Sequence, residues 1–259
     1  MHDRFIVFKS KLQIVAMRLL PMLDSTLMAN YLLDASSIQP DRSRIGFPTG
    51  KAGQIASLLE QRLTLGYYDA GQKLSFQQIA EEFNVSRQPV SVAISHLRAS
   101  GYLEVSPQVG CHVVRPKASE VIDFFMVLSK LESCVVRMAC SRHKDGEAQL
   151  LQAIKPAQTI DSLDKLVSRT AYIQYIDKYH DFIWKMAKTP LLEYKLSSLR
   201  KLSNFFLWQG NPSVTHKAAL KLTNERNDIA IAIASRNADI AEKLMEKHIV
   251  GKLEAIDLI

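Results

Sequence analysis
The chain has 259 residues, 47% of them hydrophobic, which is enough for one large domain or two ordinary ones. It carries 33 Lys and Arg against 26 Asp and Glu, a formal net charge of +7, and the excess is shared by both halves; this suits a polyanionic partner without demanding one. Three cysteines, Cys111, Cys134 and Cys140, have no CxxC spacing, which excludes a disulfide framework and points to a reducing cytoplasm, with the thiols serving as small buried hydrophobes.

Residues 1–48 form an N-terminal extension with little pattern. Leu12 to Leu33 reads as an amphipathic helix broken at Pro21; alternatively, Met28 is the start and residues 1–27 are disordered or untranslated. Lys9, Lys11 and Arg18 interrupt the apolar stretch Phe5 to Leu23 and no small-residue cleavage site follows, so neither a membrane span nor a signal peptide is expected. Gln39 to Arg44 reads as a linker.

Residues 49–115 read as a DNA-binding domain. Gly50 to Gly66 is its first helix, with Ile55, Leu58, Leu59, Leu63 and Leu65 on the buried side. A turn over Tyr67 to Gly71 follows. Leu74, Ile79 and Phe83 then recur at helical spacing, with Ser75 as the cap. Asn84 suits the left-handed turn after this helix, and Ser86 caps the next one. Pro89 falls in the first turn, where backbone N–H groups lack intrahelical partners anyway. Val90, Ala93, Ile94 and Leu97 make the buried stripe of a recognition helix over about Arg87 to Ala99. Arg87, Gln88, Ser91 and Ser95 make its polar face, suited to a major groove. Gly101 ends the helix. Leu103 and Val105 alternate with Tyr102 and Glu104, Ser106 to Gly110 is turn chemistry, and Cys111 to Val114 returns as a second strand. The pattern is a winged helix-turn-helix.

Residues 116–118 read as a hinge. From 119 to 259 the pattern is all helix: Ser119 to His143, a stretch from Glu147 to Arg169 broken near Pro156, Thr170 to Lys188, Leu191 to Gln209, Val214 to Ser235 and Ala238 to Ile256. The expected fold is mainly α: a winged helix-turn-helix with a small β-hairpin, then an antiparallel bundle of about six helices. Gly-rich phosphate loops, nucleophile elbows and zinc-finger spacings are absent from the sequence.

The chain resembles the GntR family of bacterial transcription regulators, in the FadR-like branch with an all-helical C-terminal domain. The resemblance rests on Gln54-Ile55-Ala56, Gly71-Gln72-Lys73-Leu74-Ser75, Val85-Ser86-Arg87-Gln88-Pro89-Val90, Leu97 to Leu103 and Gly110-Cys111-His112-Val113. In the bundle it rests on Leu131-Glu132, Asp177-Lys178-Tyr179-His180, Asn237 and His248. The resemblance implies a candidate DNA-contacting set of Lys73, Ser75, Ser86, Arg87, Gln88, Ser91, Ser95, Gly110 and His112. His112 reads equally well as a wing residue touching the minor groove or as a solvent-facing strand residue. The chain departs from the family at Ser91, where an Arg is usual, and at Phe76, where an acidic residue is usual; loss of the Arg removes one phosphate or guanine contact.

Many members of this family hold a divalent metal in the bundle with one Asp and three His. The corresponding positions here are Ile176, His180, Arg226 and His248, and two of these four cannot ligate. The expected site is therefore metal-free and needs no cofactor. His180, Arg226, His248, Asp177 and Asn237 form the candidate effector-binding set, with Arg226 gripping a small anionic metabolite. Two other readings stand beside it. Asp177, His180 and His248 form a reduced metal site, or Arg226 pairs with a carboxylate such as Asp177 or turns to solvent.

The expected function is a cytoplasmic, ligand-responsive transcription regulator. It binds a double-stranded operator as a homodimer, with no membrane and no catalytic role. A second class is a metabolite-sensing or protein-interaction module whose winged domain no longer reads DNA specifically, which Ser91 favours.

Overall fold
The computed structural model describes residues 47–106, 110–156, 166–209 and 216–254. The N-terminal helix over Leu12 to Leu33, the linker at Gln39 to Arg44, the alternative start at Met28 and the tip of the wing lie outside these residues.

The winged domain is built from α1 (Gly50–Thr64), β1 (Lys73–Leu74), α2 (Phe76–Phe83), α3 (Arg87–Ala99), β2 (Leu103–Ser106) and β3 (Gly110–Val113). The predicted β2–β3 hairpin forms, and β1 adds a third antiparallel strand to it, in the order β1-β3-β2. Leu74 belongs to β1, where it pairs with Cys111, and not to the helical period of α2. A two-residue strand is too short to show alternation, which is why the pattern misses it. Ser75 caps α2 by accepting from Gln78 N–H at 3.3 Å. Asn84 ends α2 in the left-handed region, φ 49°, and Val85 N–H bonds back to Ala80 C=O at 3.0 Å. Ser86 sits at the N-cap of α3, but its hydroxyl makes no cap hydrogen bond. Ile55, Leu59, Leu63, Val90, Ala93, Ile94, Leu97 and Leu103 close the core. Phe47, placed by sequence in the N-terminal extension, packs on this core and stands edge-on to His96 with ring centroids 4.7 Å apart. The domain therefore starts no later than Phe47.

Six helices follow among the described residues: α4 (Ala118–Arg142), α5 (Glu147–Ala153), α6 (Leu166–Ala187), α7 (Pro190–Gln209), α8 (His216–Ala234) and α9 (Ala238–Val250). The hinge is shorter than expected. Lys117 caps α4, and its N–H donates to Glu120 Oε2 at 2.6 Å. α5 stops at Ala153 ahead of Pro156, since the residue before a proline is pushed out of helical geometry. α4 packs along α6 and α9. Its buried face carries Phe125, Leu128, Val135, Val136 and Ala139, which meet Ile183, Trp184, Ile229, Met245 and Ile249.

The two domains share α7. Phe205 lies in the winged-domain core, edge-on to Tyr102 at 5.3 Å. Lys201 Nζ reaches Glu60 Oε2 at 2.8 Å, and Gln209 Nε2 donates to Tyr68 C=O at 2.9 Å. Arg169 on α6 donates to Leu65 C=O at 2.5 Å and stacks over Trp208. Leu65 itself is buried among Tyr172, Ile176 and Trp208.

Candidate functional site
Most of the candidate DNA-contacting residues lie on the exposed side of α3 and on the wing. Buried Val90, Ala93, Ile94 and Leu97 hold α3 against α1, and this turns Ser86, Arg87, Gln88, Ser91 and Ser95 to solvent. On the wing, Lys73 is exposed and pairs with His112 across β1 and β3. A Cβ on Gly110 would stand 3.3 Å from Lys73 Cε, so this glycine lets the lysine lie across the strand. His112 faces Glu104 on β2, Nε2 to Oε2 3.8 Å. Its neighbour is thus an acid of its own sheet. Ser75 is half-buried, with its hydroxyl used as the α2 cap.

The second site lies inside the bundle. Arg200, Arg226, Lys252, His180, His248 and Glu132 are all buried. Glu132 on α4 is paired with Arg200 on α7, and its other oxygen accepts from Trp184 Nε1 at 3.1 Å. Arg200 Nη2 lies 3.0 Å from His180 Nδ1. A guanidinium can only donate, so Nδ1 accepts and the ring proton of His180 sits on Nε2. The His180 and His248 rings stack with centroids 6.3 Å apart. His248 Nδ1 lies 2.9 Å from Glu225 Oε2. Arg226 on α8 lies over the rings of Tyr172 and Tyr175, centroids 5.6 and 5.2 Å from Cζ, and donates from Nη1 to Tyr172 Oη at 3.5 Å.

Several buried polar atoms here have no hydrogen-bond partner: Arg226 Nε and Nη2, Arg200 Nε and Nη1, Lys252 Nζ, His180 Nε2 and His248 Nε2. Buried donors are normally paired, so this cluster of orphans makes the bundle interior the candidate ligand site. The charges interact. Burial pulls the His180 pKa down to about 3, with Arg200 adding to the effect and Glu132 opposing it. Burial, then Arg226 and Lys252, hold His248 well below the ordinary imidazole value. Burial lowers Lys252 well below its ordinary value, and Arg200 and Arg226 lower it further. Glu132 goes the other way. Burial raises it, but Arg200 and His180 outweigh burial and keep it below the usual carboxylate range.

Of the predicted effector residues, His180, Arg226 and His248 come together. Asp177 stands at the margin, half-buried, accepting from Asn204 Nδ2 at 3.4 Å. Burial raises its pKa to about 6, against Arg200, which lowers it. Arg226 makes no carboxylate pair with Asp177 and does not turn to solvent; it is buried against the two tyrosines. Asn237 is not part of the site. It is exposed at the N-cap of α9, and its Oδ1 accepts from Ile240 N–H at 3.2 Å. An Asn just before a helix is a cap first, and the resemblance alone does not reveal that.

A divalent metal does not fit these residues. Ile176 is buried in an apolar cluster, and Arg226 puts a guanidinium where another ligand would stand. Among the described residues no three His, Cys, Asp or Glu side chains gather at metal-holding spacing, so Asp177, His180 and His248 do not make a reduced site. Sequence reasoning missed Arg200, Lys252 and Asn204 and used Glu132 only as a family mark. No local signal marks Arg200 as an inward residue of its helix; its burial follows from the packing of α4 and α6 against α7.

Comparison with known proteins agrees with this division. Residues 51–113 match the model for bacterial regulatory proteins of the gntR family, and residues 123–251 match the FCD domain. The chain is 24% identical over 203 residues to the HTH-type transcriptional repressor RspR of Escherichia coli strain K12, covering 78% of this chain and 87% of that protein. Its fold is similar to that of E. coli McbR/YncC, with TM-score 0.62 and 15% identity over 78% of this chain and 94% of the other. It is also similar to a GntR transcriptional regulator from Rhodococcus sp. RHA1, described as putative, with TM-score 0.63 and 13% identity over 81% and 99%. No helix among the described residues is long and apolar enough to cross a membrane. The chain thus joins a gntR-type winged DNA-binding domain, residues 51–113, to an FCD domain, residues 123–251, the make-up of a ligand-responsive, DNA-binding transcription regulator.

Proposed function
We propose that the protein is a cytoplasmic regulator that reads a double-stranded operator with α3 and the wing and answers to a small anion held in the bundle. The observation that carries the anion is Arg226. Its guanidinium is buried against Tyr172 and Tyr175 and makes no ion pair among the described residues, and Nε and Nη2 have no hydrogen-bond partner there. These two N–H groups form one side edge of the guanidinium, the fork that grips a carboxylate through two parallel hydrogen bonds. His180 Nε2–H adds a neutral donor. The role in this reading is regulatory.

The working unit in this reading is a homodimer, each winged domain taking one half-site of a pseudo-palindrome. Val127, Leu131 and Cys134 give α4 an exposed apolar strip suited to a second copy. The test is a thermal-shift screen of carboxylates on wild type and Arg226→Met, repeated with a selected operator fragment. The reading expects carboxylate stabilisation that Arg226→Met abolishes, together with a carboxylate-dependent change in operator affinity. Stabilisation that survives Arg226→Met overturns it. Ser91 favours the second reading, a winged domain without sequence preference; failure to enrich any operator from random DNA would support that one.

A further inference from the structure
We infer that Val92 is a specificity-determining residue of the reading head: by apolar contact it reads the 5-methyl group of a thymine in the major groove. The inference rests on the reading that α3 enters the groove, and adds what one of its side chains selects there.

Two stripes run along α3. Val90, Ala93, Ile94 and Leu97, spaced i, i+3, i+4 and i+7, are buried in the core of the winged domain. Gln88, Ser91, Val92 and Ser95 repeat that spacing two residues earlier, and all four are exposed. Two residues turn a helix by about 200°, so the second stripe lies opposite the first. It is the part of α3 that meets whatever the helix docks against.

The stripe is polar at three positions and apolar at one. Val92 is 46% exposed; the other exposed large hydrophobics described in this domain, Tyr67 and Val105, lie off α3. A solitary exposed valine on an ordinary surface calls for no explanation. This one lies inside the docking stripe, with Gln88 four residues before it and Ser95 three after, so docking takes it out of water. Branching at Cβ leaves valine one strongly favoured χ1 in a helix, so its methyl groups are held ready with little side-chain freedom to lose. They offer no hydrogen bond to a phosphate or a base nitrogen. The thymine methyl is the apolar group that base edges present in the major groove. A cytosine amino group or a guanine O6 set against Val92 would lose its water and gain no partner. The preference for thymine therefore has an attractive and a repulsive part.

The test uses the full-length protein and a site selected with it from random duplex DNA. Each thymine of that site is replaced in turn by deoxyuridine, which lacks only the methyl, and affinities are read by fluorescence anisotropy at one salt concentration. For wild type, at least one replacement should weaken binding about three- to fivefold, the worth of one buried methyl. Val92→Ser, a change at an exposed helix position, should bind that thymine site and its deoxyuridine form equally. Wild-type indifference to every replacement would overturn the proposal, and that arm needs no variant. A loss that persists in Val92→Ser would assign the methyl to another side chain and overturn it too. If no site is enriched at all, sequence reading by α3 falls, and the role of Val92 with it.

Discussion

Arg200 and Phe205 sit on different sides of one helix, α7, and serve different domains. Arg200 points into the bundle and pairs with Glu132, whereas Phe205 points into the winged domain and meets Tyr102 edge-on at 5.3 Å. A ligand that displaced Arg200 would pull on the helix that carries Phe205, Lys201 and Gln209, the side chains holding the reading head. Ligand and DNA are coupled to the extent that α7 has two positions, each favoured by one of them.

The Phe205 contact is expected to be expensive to remove. Phe205→Ala empties a fully buried site in the winged-domain core and should cost about 3–5 kcal/mol of unfolding free energy. Urea denaturation of the full chain measures it; a loss under about 1 kcal/mol would mean that the site collapses around the gap or that the ring is not packed as described.

Glu132 and Arg200 make a stronger prediction as a pair. Arg200→Met leaves Glu132 buried without its cation and should cost about 3–5 kcal/mol, while the double change Arg200→Met with Glu132→Met should recover most of that. Two single changes that add without recovery would show that the charges do not compensate each other.

The site titrates with opposite signs at neighbouring residues. Asp177 is raised from 3.8 to about 6, so its contribution is full below about pH 4 and is lost as pH rises through 6. Asp177→Asn should therefore stabilise the protein at pH 8 by about 1–3 kcal/mol and change little at pH 4. His180 is lowered from 6.5 to about 3; its contribution is present above 6.5 and is lost as pH falls toward 3. Chemical denaturation at pH 4, 6 and 8 separates the two, and an Asp177→Asn gain of equal size at pH 4 and pH 8 would contradict the assignment.

On the reading head, Arg87→Ala should weaken operator binding by about 1–3 kcal/mol and alter the preferred sequence if Arg87 reads a base. Ser91→Arg should raise affinity for any DNA and steepen its decline with salt, because one more phosphate is neutralised. Fluorescence anisotropy across a salt series tests both; an unchanged salt slope would place Ser91 off the DNA.

Most of the fold was legible because its signals are local. Helical period, the Ser75 cap and the left-handed Asn84 each depend on a few adjacent residues, and α3 is found at the predicted bounds, Arg87 to Ala99. What failed was short or long-range. β1 exists only because Lys73 and Leu74 meet His112 and Cys111 across the sheet. Asn237 was placed in the effector set by the family resemblance, but the start of α9 claims its side chain. Arg200 and Lys252 were invisible as site residues because nothing local tells an inward basic side chain from a solvated one. Only the packing of helices distant in sequence decides which of the chain's 33 Lys and Arg are buried.

The shared helix also limits how this protein can be recombined. A winged domain cut after the hinge and grafted onto a foreign effector bundle would arrive without Phe205, leaving a phenyl-sized hole beside Tyr102. Glu60 would lack its lysine, and the Leu65 and Tyr68 carbonyls would lack the donors Arg169 and Gln209. A working chimera has to carry α7's outward side chains along with the reading head, so the unit that can be exchanged is discontinuous in the chain.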